Sequence, residues 1–302
     1  MGILDCIGNT PLVKIESLNP NPKVKIFAKL EGSNPGGSVK DRIALYMVQI
    51  AEKDGRLTRD KIILEATSGN TGIGLAMVAS AKRYRVKLTM PACVSIERRK
   101  ILEAFGAELI LSPAEESTDG AIRLAHRIME EEPDKYFMPN QFDNLANSLA
   151  HYETTAVEII DQTKGAITHF VAGMGTTGTL MGAGKRLKEY NSNIQVIGVE
   201  PVKNHRIQGL KNMTESIVPG IFNPANLDER YLVNDEEAFD TTRMLAIKEG
   251  IFAGMSSGAA MYIAQKISSK LKEGVIVVIF PDRGDRYLST SLFASICGKC
   301  PP

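Results

Sequence analysis

Apolar and polar positions alternate along the chain in two rhythms, one typical of strands and one typical of helices. Short runs of apolar and β-branched residues predict strands at 24–30, 61–66, 86–90, 108–111, 167–172, 195–200 and 275–281. Longer segments with apolar residues at helical spacing predict helices at 41–54, 73–83, 96–105, 118–132, 149–162, 180–190, 235–249 and 258–272. Because the two kinds of segment follow each other in turn, the sequence predicts an α/β fold with parallel sheets covered by helices.

Chain length and two irregular segments favour a division into two domains. With 302 residues, the chain is longer than one hydrophobic core usually supports. Segment 139–148 holds three Asn, one Asp and one Pro, and we expect the chain to cross between the domains there. Segment 212–227, with two Pro and one Gly, is predicted to be a loop that borders a cleft between two lobes.

Composition and charge narrow the class of protein. Hydrophobic residues make up 43% and charged residues 24% of the chain, which is typical of globular proteins and argues against disorder or a fibrous repeat. The 36 basic and 35 acidic residues give a formal charge of +1, so a small-molecule partner is expected rather than nucleic acid or a membrane. No apolar run reaches the roughly 20 residues that span a bilayer, and the first residues lack a secretion-signal pattern, so we expect a cytoplasmic protein.

Cysteine and histidine positions give no pattern of a disulfide framework or a metal site. The four cysteines are too few and too scattered for such a framework, so reduced thiols are expected at Cys6, Cys93, Cys297 and Cys300. The last two form a C-x-x-C pair, either a redox pair or half of a zinc site, but a frayed tail with two free thiols is the simpler interpretation. No histidine has metal-ligand spacing, so we predict no metal and expect structural roles for His126, His151, His169 and His205.

Three glycine-rich junctions between a predicted strand and a predicted helix are candidate ligand sites, because open α/β sheets bind ligands there. The first, at 34–42, has Ser38 as a helix cap and Asp41 three residues later, close to a capping box. Lys40 then lies in the first helical turn, where the helix dipole disfavours its ammonium form and suits a lysine that forms a Schiff base. By position alone, a solvated surface lysine is the favoured interpretation.

The second and third junctions are predicted anion sites. At 65–76, backbone amides, hydroxyls and a helix start favour a carboxylate, and the glycines at 69, 72 and 74 do not have dinucleotide-loop spacing. At 171–179, amides freed by glycine and three hydroxyls favour a phosphate, with a simple tight turn as the alternative. A Walker loop is excluded there, because Lys185 is followed by Arg186 where Ser or Thr must bind magnesium.

Seven ordered motifs now point to a known family. They are IGNTPLVK at 7–14, KLEGSNPGGSVKDR at 29–42, EATSGNTGIGLA at 65–76, MGTTGT at 174–179, PGIFN at 219–223, EGIFAGMSSGAA at 249–260 and DRGDRYLST at 282–290. The chain resembles the fold-type II pyridoxal phosphate enzymes, and within them the cysteine synthases, particularly the cysteine synthase B type. The resemblance implies two three-layer α/β domains with mainly parallel sheets, similar to the tryptophan synthase β fold. It implies a larger cofactor-binding domain of 1–36 and 146–302 and a smaller, mobile substrate-side domain of 37–145.

The same resemblance implies pyridoxal 5′-phosphate as the cofactor, held as an imine on Lys40, which is also the catalytic base. Asn70 would bond the ring hydroxyl and Ser256 the ring nitrogen, while the phosphate would be held by Gly175, Thr176, Thr177, Gly178 and Thr179. The implied substrate-side residues are Thr67, Ser68, Gly69, Asn70, Thr71, Gln141, Gly220 and Lys211. A serine hydroxyl cannot hold the ring nitrogen protonated as a carboxylate would, so the electron sink is weaker and elimination is favoured over transamination.

The reaction implied by the resemblance is a β-replacement in cysteine biosynthesis. An activated serine, O-acetyl-L-serine or O-phospho-L-serine, would lose its β-substituent and accept sulfide or another sulfur donor to give L-cysteine. A cystathionine β-synthase or a serine or threonine dehydratase shares the fold and is the alternative, but the PGIFN and GDRYLST segments favour the synthase. A non-catalytic binding protein would need a broken site, whereas the lysine, both anion junctions and Ser256 are present.

The substrate pair depends on the loop at 205–213. Relatives that use thiosulfate have Arg-Arg-Trp where this chain has Lys211, Asn212 and Met213, and relatives that prefer O-phosphoserine have Arg-Asn-Met. We hypothesise that Lys211 supplies a positive charge to an anionic leaving group or donor, with a solvated loop lysine as the alternative. The resemblance also implies a homodimer and a further partner, the C-terminal peptide of a serine acetyltransferase.

Overall fold

The computed structural model describes residues 1–67, 69–94 and 96–293. It divides the chain into two compact units, the first built from Met1–Ile7 and Asn34–Asn147 and the second from Gly8–Ser33 and the described residues from 148 onward. Residues 1–7 therefore fall in the first unit and not, as expected from sequence, in the larger one. The reason is that the 3₁₀ turn Ile3–Cys6 packs against the helix Asn70–Lys82 of the first unit.

The third crossing between the units falls between Asn147 and Ser148. This point lies inside a helix, Leu145–Ala150, and not in the irregular part of segment 139–148. Asn147 is fully buried, and its side-chain amide donates to the Gln141 carbonyl at 2.7 Å, which holds it in the first unit.

The regular elements follow one another in α/β order. The strands are β1 Leu12–Ile15, β2 Val24–Leu30, β3 Ile62–Ala66, β4 Arg85–Pro91, β5 Glu108–Ser112, β6 Tyr136–Phe137, β7 His169–Gly173, β8 Gln195–Pro201, β9 Glu229–Val233 and β10 Gly274–Phe280. The helices are α1 Lys40–Lys53, α2 Asn70–Lys82, α3 Ile96–Ala104, α4 Ser117–Glu131, α5 Leu145–Ala150, α6 Ala156–Gln162, α7 Gly178–Tyr190, α8 Asp235–Glu249 and α9 Met255–Ser268. A π-helical turn, His151–Thr155, joins α5 to α6.

The first unit is built on a four-stranded parallel sheet in the order β5-β4-β3-β6. Adjacent residues of β4 face opposite sides of it, as the strand period requires. A Cβ atom on Gly72 of α2 would lie 3.2 Å from the Leu88 side chain, whereas the Thr89 hydroxyl donates to the Ala121 carbonyl of α4 at 2.8 Å. Helices therefore cover both faces, with α2 on one side and α4 on the other.

The second unit is built on a six-stranded sheet in the order β1-β2-β10-β7-β8-β9, in which only the β1–β2 pair is antiparallel. Successive residues of β10 enter two separate hydrophobic clusters. Ile276 and Val278 pack with residues of α8 and α9, whereas Val277 and Ile279 pack with residues of α6 and α7. This sheet is thus also the middle layer of three, and the mainly parallel α/β class expected from sequence is confirmed.

The predicted strands and helices are confirmed, with ends that move by a few residues. Three strands were not predicted: β1, β6 and β9. β1 and β9 are short strands at the two edges of their sheet, and β6 has only 2 residues, so none has enough alternation to be detected. The helix predicted at 149–162 starts earlier, at Leu145, and contains the π-helical turn.

Candidate active site

Lys40 is the first residue of α1 in the first unit. The Ser38 hydroxyl accepts a hydrogen bond from the Lys40 backbone N–H at 3.2 Å, but the N-cap residue is Val39, without a side-chain cap, and not Ser38 as expected from sequence. The buried Asp41 carboxylate accepts from the Gly36 N–H at 2.6 Å, and a Cβ atom at Gly36 would lie only 2.5 Å from that carboxylate. The loop before Lys40 is therefore held by its own helix, and only glycine fits at position 36.

The turn between β3 and α2 lies in the same unit as Lys40. A Cβ atom on Gly74 would lie 3.1 Å from the Lys40 carbonyl oxygen, so the first turns of α1 and α2 approach closely. Gly69 precedes the first residue of α2, Asn70. The Gly69 N–H donates to the Thr67 hydroxyl at 3.4 Å. Ser68, the remaining member of this predicted substrate turn, lies outside the described residues. The positive end of the dipole of a 13-residue helix makes this turn suited to a carboxylate.

Gln141 is brought to this turn by the fold. The Thr71 hydroxyl donates to Gln141 Oε1 at 2.6 Å, and both residues are buried. This bond fixes the orientation of the Gln141 side chain, because its carbonyl end faces Thr71 and its amide N–H groups form the other end. The structure thus brings together two residues that were predicted on the substrate side and are 70 positions apart in sequence.

Sequence reasoning missed a carboxylate next to this turn. Glu65 of β3 accepts hydrogen bonds from the N–H groups of Asn140, at 2.8 Å, and Gln141, at 3.2 Å. Burial raises the pKa of the Glu65 carboxyl to about 7, although the bonds from Gln141 and Asn140 oppose that shift. The only sequence signal was a single acidic residue in an otherwise apolar strand, just before the predicted carboxylate turn.

The loop at 175–179 lies in the second unit, between β7 and α7. Thr177 precedes the first residue of α7 and has a φ of +65°, a left-handed conformation that is costly for a β-branched residue. Its hydroxyl is buried and has no hydrogen-bond partner among the described residues. A buried hydroxyl without a partner at a helix start is available to donate a hydrogen bond to a bound anion.

His151 supports this loop from behind, and sequence reasoning gave it only a structural role. Its ring is fully buried, with Nδ1 2.9 Å from the Thr155 hydroxyl and Nε2 3.2 Å from the Thr179 hydroxyl. The π-helical turn that starts at His151 was the missing information, since it cannot be read from helical periodicity.

The 205–213 loop packs directly on the same strand-to-helix junction. The Lys211 N–H donates to the Met174 carbonyl at 2.8 Å, and a Cβ atom at Gly175 would lie 2.5 Å from the Gly209 carbonyl oxygen. Two further bonds fix the loop, from Met213 N–H to Glu200 and from the Asn212 amide to the Pro201 carbonyl. The fold therefore brings the Lys211 backbone next to the predicted phosphate loop.

Two further predicted site residues of the second unit, Ser256 and Gly220, lie outside the loops at 175–179 and 205–213. Ser256 is buried in the first turn of α9, directly after the extended residue Gly254 and Met255. Gly220 is exposed in the irregular stretch that follows the 205–213 loop. Within the described ranges there is no group of three or more His, Cys, Asp or Glu side chains placed to hold a metal ion. Those ranges also contain no helix that is long and apolar enough to cross a membrane.

Comparison with known proteins identifies the family. A family model described as "Pyridoxal-phosphate dependent enzyme" matches residues 3–282. The chain belongs to this family.

Several similar proteins are named as cysteine synthases. A protein named cysteine synthase from Aquifex aeolicus is 51% identical over 97% of this chain and 92% of its own length. Cysteine synthase B from Salmonella typhimurium is 47% identical over 95% of this chain and 94% of its own length. A crystal structure of a cysteine synthase (OASS) from Entamoeba histolytica superposes with a TM-score of 0.93, with 39% identity, over 97% of this chain and 90% of that one.

The residues present fit the cofactor that names the family. The buried, unpartnered Thr177 hydroxyl and the start of α7 offer donors for a phosphate group. Lys40 offers a primary amine at a helix start for the cofactor's aldehyde. Ser256 offers a buried hydroxyl for a ring nitrogen.

Proposed function

We propose that this chain is a cysteine synthase that converts O-acetyl-L-serine and sulfide into L-cysteine and acetate. The observation that carries the proposal is that Lys40 and the predicted carboxylate turn at 67–71 belong to one compact unit, where a Cβ atom on Gly74 would lie 3.1 Å from the Lys40 carbonyl oxygen. A reactive amine and an anion site are thereby held at two adjacent helix starts. The names of the relatives support this reaction and do not favour the cystathionine β-synthase or dehydratase alternative.

Each predicted site residue has a proposed task. The N–H groups and hydroxyls of residues 67–71, together with Gln141, bind the amino-acid carboxylate, and Asn70 also bonds the cofactor's ring hydroxyl. The loop Gly175–Thr179 binds the cofactor's phosphate, Ser256 accepts or donates at its ring nitrogen, and Gly220 leaves room beside the bound molecules. When bound, the cofactor supplies an electron sink for negative charge at the substrate Cα.

Lys40 moves the proton in this proposal. Its neutral amine removes the Cα proton of O-acetyl-L-serine, and acetate leaves from Cβ with the electron pair of the C–O bond. Sulfide then forms the C–S bond at Cβ, and the Lys40 ammonium returns its proton to Cα. Atoms and charge balance without an oxidant or reductant.

A turnover assay tests the proposal. Purified protein loaded with cofactor should form L-cysteine from O-acetyl-L-serine and sulfide, whereas Lys40→Ala should lose turnover and the absorbance of the lysine-bound cofactor. The same protein should be offered thiosulfate or homocysteine in place of sulfide, with the amino-acid product identified by mass. A product other than cysteine, or release of ammonia from serine or threonine, would replace the proposal with the alternative.

We further propose that Lys211 contributes to the choice of leaving group or sulfur donor. Support comes from its backbone bond to Met174, which places it beside the loop Gly175–Thr179. A cation at this position would favour the phosphate of O-phospho-L-serine over the neutral acetyl ester of O-acetyl-L-serine. Lys211→Ala should lower kcat/KM for O-phospho-L-serine about tenfold relative to O-acetyl-L-serine, and an unchanged ratio would exclude this role.

Assembly and location complete the proposal. We propose a cytoplasmic homodimer, with the C-terminal peptide of a serine acetyltransferase as a further partner. Light scattering of the purified protein should give twice the mass of one chain. Competition between O-acetyl-L-serine and a synthetic peptide of that kind should raise the apparent KM if the peptide binds at the substrate turn.

A further inference from the structure

The chain between β6 and α5 is anchored by a side chain where backbone pairing ends. β6 pairs with β3 only through Tyr136 and Phe137, which lie opposite Ile62 and Ile63. Beyond that point the strand partner is lost, and the Glu65 carboxylate accepts the N–H groups of Asn140 and Gln141 in its place. One carboxylate therefore continues the connection between β3 and this segment for two more residues.

Gln141 is held at three points. Its N–H donates to Glu65 Oε1, its carbonyl accepts from the Asn147 side-chain amide at 2.7 Å, and its side-chain carbonyl accepts from the Thr71 hydroxyl at 2.6 Å. Asn140 reaches the Glu65 carboxylate with a φ of +49°, a left-handed conformation that asparagine tolerates better than most residues. The backbone here is shaped to present two successive N–H groups to one carboxylate.

A carboxylate suits this task better than an uncharged side chain of the same size. Its two oxygens accept from two N–H groups at once, whereas an amide offers one acceptor and turns a donor toward the second N–H. A buried carboxylate is costly unless it is hydrogen-bonded. Glu65 opposes Leu88 in the β3–β4 pairing and so faces the α2 side of the sheet, beneath the turn at 67–71.

We propose that Glu65 is a positioning residue for the substrate-carboxylate site, setting Gln141 against the turn at 67–71. The inference rests on the proposed function, because it assigns Glu65 to the binding of an amino-acid carboxylate. Glu65 touches neither substrate nor cofactor. It acts through Gln141. Loss of Glu65 weakens binding of the substrate carboxylate and leaves proton transfer by the Lys40 amine unchanged.

Ligand pairs that differ only in the carboxylate test this role. The holoenzyme is titrated with L-serine and with L-serinamide, and binding is followed through the cofactor's visible absorbance. Glu65→Gln should raise the dissociation constant of L-serine about tenfold and that of L-serinamide less than about twofold. With O-acetyl-L-serine, KM should rise about tenfold while kcat changes less than about twofold.

The second unit offers a matched control. Glu249 also accepts two backbone N–H groups, from Glu16 at 3.3 Å and from Leu18 at 2.7 Å, but outside any proposed substrate residue. Glu249→Gln should leave both titrations unchanged. Glu65→Asp keeps the charge but is too short to reach both N–H groups, and we expect an intermediate loss for L-serine; it serves as the second variant if Glu65→Gln does not fold.

Outcomes separate this inference from the proposed function. Equal weakening of L-serine and L-serinamide in the Glu65 variants, or no weakening of either, overturns the positioning role. A wild-type protein that binds L-serine in preference to L-serinamide but makes no cysteine overturns the proposed reaction and leaves the positioning role standing. A wild-type protein that makes cysteine but shows no preference between the two ligands overturns the positioning role alone.

Discussion

Two strand-to-helix turns, one in each unit, share the same plan and differ in packing. At the loop Gly175–Thr179, a Cβ atom on Gly175 would lie 2.5 Å from the Gly209 carbonyl oxygen, and the Thr179 hydroxyl contacts the buried ring of His151. At the turn 67–71, a Cβ atom on Gly69 would meet no described atom within 4 Å. The first turn is tightly enclosed at Gly175, whereas the second is open at Gly69.

The difference matches the two kinds of ligand that we propose. A cofactor that stays bound through many turnovers is best held by a loop that is already rigid, because little ordering entropy is then lost on binding. A substrate that enters and leaves in each cycle needs an accessible turn, and the binding groups of that turn must be held in place by residues on its buried side. The enclosed turn is supported by an imidazole, and the open one by the Glu65 carboxylate through Gln141.

Alanine substitutions at the two glycines should give the largest difference between the two turns, in affinity for the cofactor. Gly175→Ala forces the loop away from a backbone carbonyl that cannot give way, and the affinity for pyridoxal phosphate should fall about 1000-fold. Gly69→Ala meets no described neighbour, so that affinity should stay within about twofold of wild type. Cofactor titration after dialysis measures both, and equal losses would show that the two turns are packed alike.

The carboxylate beneath the open turn should give the next largest effect, on stability. The Glu65 carboxyl has a pKa of about 7 in the folded protein, against 4.5 for an ordinary glutamate. The folded state therefore holds this proton more tightly, and its stabilising contribution is complete below about pH 4.5 and is lost as pH rises through about 7. The free energy of unfolding should fall by about 3 kcal/mol across that window on account of this group.

Urea unfolding between about pH 4.5 and about pH 8 measures this contribution. Glu65→Gln removes the titrating group and should remove about 3 kcal/mol of the pH dependence. If Glu65→Gln keeps the full pH dependence, another group is responsible and the raised pKa is wrong.

Removal of the Thr177 hydroxyl should have the smallest of these effects and tests whether this group of the enclosed turn binds the cofactor. Because this buried hydroxyl has no partner among the described residues, Thr177→Val should change the apoprotein's free energy of unfolding by less than about 0.5 kcal/mol. Affinity for pyridoxal phosphate should nevertheless fall about tenfold, since the hydroxyl is proposed to bond the phosphate.

Thr179→Val is the control for that substitution. Its hydroxyl lies 3.2 Å from His151 Nε2, so its removal leaves a buried ring nitrogen without this partner. The apoprotein should then lose about 1 kcal/mol of stability. A Thr177→Val apoprotein destabilised as much as Thr179→Val would show that the Thr177 hydroxyl has a structural role.

The α/β class, the approximate extent of most helices and strands, and three candidate ligand junctions could be predicted from the sequence alone. These features are local: strand and helix periods, helix-start residues and glycine clusters depend on neighbours within a few positions. Lys40, the turn at 67–71 and the loop at 175–179 could be proposed for this reason. Three short edge strands, β1, β6 and β9, were missed because their few residues show no clear apolar period.

The distant residues that support the two turns could be identified only from the tertiary structure. Glu65 meets Gln141 across 76 positions, and His151 meets Thr179 across 28, through contacts that depend on sheet order and on a π-helical turn. The division of the chain within α5 and the transfer of residues 1–7 to the first unit were decided in the same way. Pattern along a chain reports which face of an element is buried, whereas the partner on that face is set by the packing of elements far apart in sequence.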